Sequence, residues 1–237
     1  MKLLSPYDES KLFCFSPLVM LLTFIIEFTS AIYILFTTKI KPSATLLVLI
    51  LISLGTFQLA EYQVCSNKSL LWMRVGYIAI TLLPPLGINL VSLVTKKMWH
   101  TYIGYGIAAF FVGAFLISTR SVQAAVCGGN YIMVTLDKSV ASYYFSYYYY
   151  LLLAIGLFNI SGFTKIQKND AARDQLKVNY LFWIAIGYAS FLIPTGAVYL
   201  LSQSARSGIP SIMCGFAVFL AVILTFRVYP ISRKLGI

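Results

Sequence analysis

The sequence of 237 residues contains few charged side chains, and this shortage excludes a water-soluble globular protein. Charged residues make up 11% of the chain and hydrophobic residues 59%, whereas soluble domains average about 25% and about 45–50%. The mean hydropathy is +0.84. Long uncharged runs are typical of transmembrane helices, because about 20 apolar helical residues cross a bilayer. We therefore predict an all-α, polytopic protein of the cell membrane.

Histidine and cysteine are also scarce, which excludes most metal and triad chemistry. His100 is the single histidine, and the four cysteines form no CxxC pair. A catalytic zinc ion needs about three converging nitrogen, sulfur or carboxylate ligands, and a Ser-His-Asp triad needs a buried acid beside its histidine. The segment around His100 offers neither set. We therefore expect no metal, no cofactor, no catalytic residue and no enzyme activity.

Acidic residues are few as well, and the resulting basic excess bears on possible partners. Lysine and arginine number 18 against 7 aspartates and glutamates, which gives a formal net charge of +11. The basic residues stand singly or in short groups between the apolar runs, so they form no continuous phosphate-binding stripe. This placement excludes nucleic acid as a partner and indicates topology signals beside anionic membrane lipid.

Seven apolar runs are long enough to span a bilayer, and we predict one transmembrane domain over residues 1–237. The first run is expected to be retained, because acidic residues interrupt the segment before it and no signal-peptide cleavage site follows. Short connections make neighbouring helices antiparallel. The spans cover about residues 15–36, 43–63, 70–94, 102–118, 141–163, 178–201 and 209–228.

The distribution of lysine and arginine between the connections predicts the orientation. If the N-terminus is outside, the inner connections carry more of these residues than the outer ones. The positive-inside rule therefore places the N-terminus outside and the C-terminus in the cytoplasm. The residues on the inner side are Lys39, Lys41, Lys96, Lys97, Lys165, Lys168, Arg173, Lys177, Arg227, Arg233 and Lys234.

Two connections are longer than the others. Residues 119–140, on the outer side, contain CGGN and the strand-like stretch YIMVTL, which allows a small hairpin. Residues 165–177, on the inner side, form a polar, helix-prone loop. Cys65 and Cys127 face the same oxidising compartment, so we predict a disulfide between them, with Cys14 as a competing partner.

Three ionisable residues within or at the ends of the predicted spans are the main candidates for function, because such residues cost about 2.5–3.5 kcal/mol at mid-helix. Glu61 and Arg74 lie at similar depth on an antiparallel pair, so we predict that they can meet. They form either a site for a carboxylate or phosphate or a structural ion pair, unless the arginine snorkels to the interface. Glu27 is either protonated and hydrogen-bonded or faces a wet cavity.

Pro84 and Pro85 interrupt the third predicted span. They remove two backbone donors and drive Leu83 and Pro84 away from helical geometry, so this span should be kinked or locally unwound. The freed carbonyls either line a cavity near Asn89 or are satisfied by neighbouring groups in a purely structural kink.

Tyrosines crowd the outer half of the fifth predicted span and cover its whole circumference. Some of them must face lipid as an interfacial belt. The inward ones, together with Tyr62, Trp72 and Tyr77, are predicted to wall an amphipathic pocket. The tyrosines are Tyr143, Tyr144, Tyr147, Tyr148, Tyr149 and Tyr150.

The stretch TFQLAEYQVCSNKSLLWMRVGYIAITLLPPLGINLV, residues 56–91, combines an acidic end of the second span with a Trp-x-Arg-x-x-Tyr run and a Leu-Pro-Pro centre. This pattern resembles the second and third helices of the seven-helix membrane region at the N-terminus of many bacterial sensor histidine kinases and diguanylate cyclases. The residues that match are Glu61, Trp72, Arg74, Tyr77, Leu83, Pro84 and Pro85.

The resemblance implies a sensory domain whose outer pocket binds a ligand and alters helix positions at the cytoplasmic face. Members of that family continue into a kinase or cyclase, whereas this chain ends shortly after the seventh span. We therefore expect either signalling through a separate cytoplasmic or membrane partner, or reuse of the region for another role.

The combined prediction is a non-enzymatic, sensor- or receptor-like membrane protein that binds a small anionic or amphipathic ligand in an outer pocket. The alternatives are a small transporter or channel subunit, with Glu27 and Asn89 in its pathway, and a structural subunit of a larger membrane complex. The predicted ligand-binding residues are Glu27, Glu61, Tyr62, Arg74, Tyr77 and Tyr147.

Overall fold

The computed structural model describes most of the helical chain and one small hairpin. The described residues are 17–37, 41–67, 69–118, 120–127, 132–137, 140–141, 143–144, 146–148, 155, 171–201 and 209–237.

Helices dominate the described residues, and a two-stranded antiparallel sheet follows the fifth helix. The strands are β1 (Val122–Cys127) and β2 (Ile132–Leu136). Residues 140–141, 143–144 and 146–148 are helical. We call them the tyrosine segment. The helices are α1 (Pro17–Thr37), α2 (Pro42–Asn67), α3 (Leu70–Thr81), α4 (Leu83–Thr95), α5 (Trp99–Ile117), α6 (Ala171–Leu201), α7 (Ile209–Ile223), a π-helical turn (Leu224–Val228) and α8 (Tyr229–Leu235).

Six helical stretches among these residues are long and apolar enough to cross a membrane. Each overlaps one predicted span, and the remaining prediction, residues 141–163, falls largely outside the described residues. A mostly helical, multi-pass membrane protein is therefore supported by the structure. The six stretches are Leu18–Thr37, Pro42–Asn67, Leu70–Thr95, Trp99–Ile117, Asp174–Val198 and Gly215–Leu235.

The outer surface of the bundle is apolar, as contact with lipid requires. In α1 the buried positions recur every three or four residues and include Met20, Glu27 and Ile34, whereas Leu18 and Phe36 are exposed. Lipid is as apolar as the protein interior, so small and polar residues distinguish the inward face of a membrane helix better than hydrophobicity does. The inward face of α1 is accordingly the face that carries its one acid.

Helix α2 lies at the centre of the described bundle and contacts α1, α3, α4 and α7. Glycines permit two of these close contacts. A Cβ atom added to Gly76 of α3 would lie 3.1 Å from the Cβ of Ala60, and one added to Gly55 of α2 would lie 3.7 Å from the Cβ of Glu27. The two glycines therefore bring α3 and α1 directly against α2.

Hydrogen bonds between distant helices define one end of the bundle. The hydroxyls of Thr37 and Tyr229 are 2.7 Å apart, and the Ser43 hydroxyl donates to the carbonyl of Ile237 over 2.5 Å. These bonds bring together the end of α1, the start of α2 and the end of the chain. Because the short connections make neighbouring helices antiparallel, this end of the bundle lies opposite the hairpin.

The hairpin closes the other end. Strand β1 pairs with β2 in a register that sets Cys127 opposite Ile132, and Cys127 is bonded to Cys65 near the end of α2, with a Cα–Cα distance of 5.8 Å. Both the predicted hairpin and the predicted disulfide are confirmed. Residues 128–131 and the competing Cys14 lie outside the described residues.

Two helices extend beyond their predicted bounds. Helix α6 begins at Ala171, inside the segment predicted as a loop, and an ion pair of 2.8 Å between Lys177 and Asp174 lies in its first turns. Such pairs at helical spacing stabilise polar helix ends outside a membrane. The last span likewise continues through the π-helical turn into α8 and ends at Leu235.

The third predicted span is divided at Leu82 into α3 and α4. Pro84 and Pro85 have no N–H group to donate to the carbonyls four residues earlier, so the helical ladder stops there. Regular bonding resumes where the N–H of Leu86 donates to the carbonyl of Leu82 over 3.1 Å. The interruption is therefore caused by the two prolines, both of which are buried. The prediction that Leu83 and Pro84 leave helical geometry is wrong, because both belong to the first turn of α4 and the interruption lies at Leu82.

Candidate functional site

Glu27, Gln58 and Glu61 form what we call the buried polar cluster, in which each residue is at most 2% exposed. Glu27 belongs to α1 and the other two to α2. A Cβ added to Gly55 would lie 3.8 Å from Oε2 of Glu27, and Gln58 and Glu61 follow Gly55 at successive intervals of three along the buried side of α2.

The hydrogen bonding of this cluster is incomplete within the described chain. Neither carboxylate oxygen of Glu27 has a hydrogen-bond partner there, nor does Nε2 of Gln58. A buried polar group without a partner costs about 1–3 kcal/mol, and a charged one costs more. Glu27 is therefore fully enclosed and makes no hydrogen bond with the residues described.

Arg74, which was predicted to meet Glu61, directs its guanidinium to α5. Its Nε and Nη2 donate to the carbonyl of Phe115 over 2.9 and 2.7 Å, and Nη2 also donates to the carbonyl of Leu116 over 2.7 Å. These carbonyls lie in the last turn of α5, where they lack helical donors and carry partial negative charge. Three hydrogen bonds from Arg74 therefore join α3 to the end of α5.

Tyr77 and Tyr147, both predicted pocket residues, lie in an aromatic cluster built by α3, α5 and the tyrosine segment. Tyr144 occupies its centre at 1% exposure. Its ring centroid is 5.6 Å from that of Tyr77, 5.3 Å from that of Phe115 and 6.2 Å from that of Tyr147. These edge and tilted contacts fill the space between the helices. Tyr62 is partly buried on α2 and packs against the hydrophobic core.

The tyrosine segment is hydrogen-bonded to the break in the third span. The Tyr147 hydroxyl donates to the carbonyl of Thr81 over 3.0 Å, and the Thr81 hydroxyl donates to that of Tyr144 over 3.1 Å. The Thr81 carbonyl is one of the two that the prolines deprive of a helical donor, since Pro85 stands four residues later. A tyrosine hydroxyl replaces the missing N–H group.

The break was also predicted to give a cavity lined by carbonyls near Asn89. In the structure Asn89 makes a hydrogen bond to a neighbouring helix. The side-chain amide of Asn89 donates to the hydroxyl of Tyr105 on α5 over 3.3 Å. This bond ties α4 to α5 just beyond the prolines. Asn89 is therefore engaged with a neighbouring helix.

Tyr147 also lines an apolar groove with a volume of about 630 Å³ on the outer surface between α5 and the tyrosine segment. Phe110 and Tyr143, two of its lining residues, are each 71% exposed. The groove faces outward, away from the buried polar cluster. It therefore offers a surface for apolar chains and no charged group for an anion.

Sequence reasoning overlooked Gln58 and Thr81, and it named Tyr144 only as one of six clustered tyrosines. Gln58 stands three residues before Glu61, so their common helical face was visible in the sequence. Thr81 stands four residues before Pro85, and this spacing identifies the carbonyl that loses its donor. The sequence did not single out Tyr144 among these tyrosines, because its central position depends on the packing of three separate segments.

Neither a search for metal-binding groups nor a comparison with known proteins assigns a function to this site. Within the described ranges, no group of three or more His, Cys, Asp or Glu side chains is placed to hold a metal ion. No protein-family model matches the chain, and no curated protein matches it.

Proposed function

We propose that the protein is a non-enzymatic, sensor- or receptor-like membrane protein that binds a small ligand inside its helix bundle. The observation that carries this proposal is the buried polar cluster. Ionisable groups inside a membrane bundle are costly and by default mark functional sites. A purely structural bundle would gain from apolar side chains of similar volume at these positions.

The contacts of α2 provide a route from the cluster to the rest of the bundle. This helix carries Gln58 and Glu61 and touches α1, α3, α4 and α7. The break at Leu82 gives the third span a point at which α3 and α4 can change their angle. A ligand that prefers one arrangement of these helices would shift the bundle towards it, and a separate partner protein would read the change.

The proposal includes seven spans, with the N-terminus outside and the C-terminus in the cytoplasm. This orientation places the disulfide-bonded hairpin in an oxidising compartment, where disulfides persist. It also places the larger share of lysine and arginine on the cytoplasmic side. In this arrangement the buried polar cluster is reached from the outer half of the bundle, and the bonded ends of α1, α2 and α8 face the partner.

A small transporter or channel subunit is the second candidate, and the interrupted third span favours it. Discontinuous helices supply free carbonyls and helix ends to transported ions. The Thr81 carbonyl, however, is occupied by Tyr147. We therefore rank a sensor ahead of a transporter.

Binding to the buried polar cluster can be tested by thermal unfolding of the purified full chain in a mild detergent. A panel of organic acids, phosphates, amines, inorganic salts and lipid headgroups would be compared on wild type, Glu27→Gln and Asp174→Asn. The last variant makes the same chemical change in the helix α6 ion pair, away from the cluster. A cluster ligand should raise the melting temperature of wild type and Asp174→Asn, but not that of Glu27→Gln.

The same ligand separates the two candidate functions after reconstitution into liposomes. A sensor binds the ligand without carrying it across, so uptake should equal that of empty liposomes. Uptake that depends on Glu27 would show that the protein is a transporter and would contradict the proposed sensor function. A full panel that leaves all three proteins unchanged would contradict ligand binding at the cluster and remove both candidates.

A further inference from the structure

The charges that the bundle buries indicate the class of ligand. In the part of the chain that the structure describes, the buried residues include Glu27 and Glu61 and no lysine, arginine or histidine. Arg74, the cation on the adjacent helix, directs its guanidinium to carbonyls of α5. Among the described residues, therefore, no buried cationic side chain stands beside the Glu27 carboxyl group.

Glu27 is the strongest single element of this argument. Its two oxygens lack hydrogen-bond partners within the described chain, and it is 0% exposed. A carboxylate in such surroundings keeps its charge only beside a compensating cation, and otherwise it takes up a proton. Both solutions place one unit of positive charge at the same carboxyl group.

Gln58 is a second and independent sign of an occupant. It is a neutral side chain, 2% exposed, whose Nε2 has no partner among the residues described. It stands between Gly55, which touches Glu27, and Glu61 on the buried side of α2. An amide carries both donors and an acceptor, so Gln58 can bond to a carboxylate of the cluster or present its oxygen to a cation.

The space around Glu27 limits the size of the occupant. The Gly55 position lies within van der Waals range of its carboxylate, and Phe24 approaches the same position to 3.4 Å. A bulky organic amine would have to separate α1 from α2. A small ion needs only oxygen atoms, which the carboxyl and amide groups supply.

We infer that the buried polar cluster binds one small monovalent cation, an alkali-metal ion or a proton, at the carboxyl group of Glu27. This inference rests on the proposed function, because it names the ligand of the same site. The two sources share one chemistry, the neutralisation of a buried carboxylate. They differ in what sets the occupancy of the site, which is the alkali-metal concentration in one case and the pH in the other.

The first arm of the test varies Na⁺ and K⁺ against choline at constant chloride and fixed neutral pH. The melting temperature of the full chain in detergent should rise with the logarithm of the concentration of the bound ion. The rise should disappear in Glu27→Gln, weaken in Gln58→Leu and persist in Asp174→Asn. The Gln58→Leu variant keeps this arm informative if Glu27→Gln does not fold.

The second arm lowers the pH in choline buffer without alkali metal. If a proton is the occupant, wild type should gain stability relative to Glu27→Gln as the pH falls. Glu61 is the other buried ionisable group among the described residues of the helices around Glu27, so Glu61→Gln is measured beside it. A gain that persists in Glu61→Gln and vanishes in Glu27→Gln assigns the proton to Glu27.

The inference is overturned if wild type shows no difference between choline and alkali metal and no pH-dependent gain over Glu27→Gln. An anion or amphipath that stabilises wild type but not Glu27→Gln would also overturn it, yet would leave the proposed sensor in place. Loss of every ligand response would overturn both. The two proposals therefore fail in distinguishable ways.

Discussion

At the scale of single residues, Arg74 and Glu27 show that the role of an ionisable side chain in a helical membrane protein depends on the groups that it contacts. Arg74 faces the last turn of α5, whose free carbonyls accept three hydrogen bonds from it. Glu27 faces α2 and has no hydrogen-bond partner in the described chain. The first residue therefore joins two helices, and the second is the residue at which we propose that a ligand binds.

Replacing Arg74 by lysine should destabilise the protein. Lysine keeps the charge but loses the planar fork that reaches two carbonyls at once, so we expect a loss of about 1–3 kcal/mol in the free energy of unfolding. Denaturant titration in detergent measures it, with Arg120→Lys, at an exposed position, as the control.

The same variant also tests the predicted anion site. Because the guanidinium is already bonded to α5, organic acids and phosphates should shift the melting temperatures of wild type and Arg74→Lys equally. A shift confined to wild type would restore Arg74 as an anion ligand. An unchanged free energy of unfolding would contradict the role of its hydrogen bonds.

Replacing Glu27 by methionine should stabilise the fold in buffer without alkali metal. Methionine has a similar volume and needs no hydrogen-bond partner, so removal of the buried carboxyl should raise the free energy of unfolding by about 1–3 kcal/mol. Denaturant titration of wild type and variant at neutral pH in choline buffer measures the difference. A lower stability of Glu27→Met would mean that the carboxyl has a stabilising partner.

At the scale of elements, the break in the third span shows how two helical segments can depend on side chains far along the chain. Pro84 and Pro85 end α3, and the tyrosine segment supplies the hydroxyl that the Thr81 carbonyl then requires. The prolines alone predict the break. Its stability depends on α3, α5 and the tyrosine segment packing together around Tyr144.

A double-mutant cycle tests this dependence. Tyr147→Phe removes the hydroxyl and should cost about 1–3 kcal/mol, because the Thr81 carbonyl stays buried without a donor. Pro85→Ala restores a backbone N–H at the position that donates to Thr81 in a regular helix. In that background Tyr147→Phe should cost clearly less, and the difference is the coupling energy.

The exposed Tyr143→Phe is the matched control for this cycle, and its free energy of unfolding should stay unchanged in both backgrounds. Equal costs of Tyr147→Phe with and without Pro85 would show that the hydroxyl and the break are independent. The hydrogen bond would then be a consequence of the packing and would contribute nothing to the break.

The hairpin depends on the disulfide that ties it to α2. Cys127→Ser should lower the free energy of unfolding by about 2–4 kcal/mol, because the bond between Cys65 and Cys127 restricts the unfolded chain. Denaturant titration compares the variant with wild type, and reduced wild type should match the variant. Mass spectrometry of the non-reduced protein should show a linked peptide pair, and free thiols at both positions would contradict the bond.

At the scale of the whole molecule, the sequence was most informative where one local property decides the structure. Apolar run length located the helices that are long enough to span a membrane, proline chemistry predicted an interruption of the third span, and a shared oxidising compartment paired Cys65 with Cys127. The partner of Arg74 was not predictable in this way. The register of α2 and α3 was right, but the direction of a side chain around its helix depends on neighbours whose order in space the sequence does not state.

The orientation in the membrane is the remaining property of the whole molecule, and we expect the hairpin outside and the start of α6 in the cytoplasm. Basic residues concentrate on the side of the membrane where α6 starts, and positive charge is retained on the cytoplasmic side during insertion. Thr135→Cys in β2 and Gln175→Cys in α6 both replace exposed residues, so a thiol reagent can reach each from its own side. Cys14 and Cys214 are replaced by serine beforehand.

In intact cells a membrane-impermeant maleimide should label position 135 and leave position 175 unlabelled until the membrane is permeabilised. The exposure of both residues makes permeabilised cells the control for reactivity, since both positions must then be labelled. Labelling of 175 and protection of 135 in intact cells would reverse the orientation. Such a result would place the disulfide in a reducing compartment and would turn the side of the bundle nearest Glu61 towards the cytoplasm, so that the proposed sensor would respond to cytoplasmic cations.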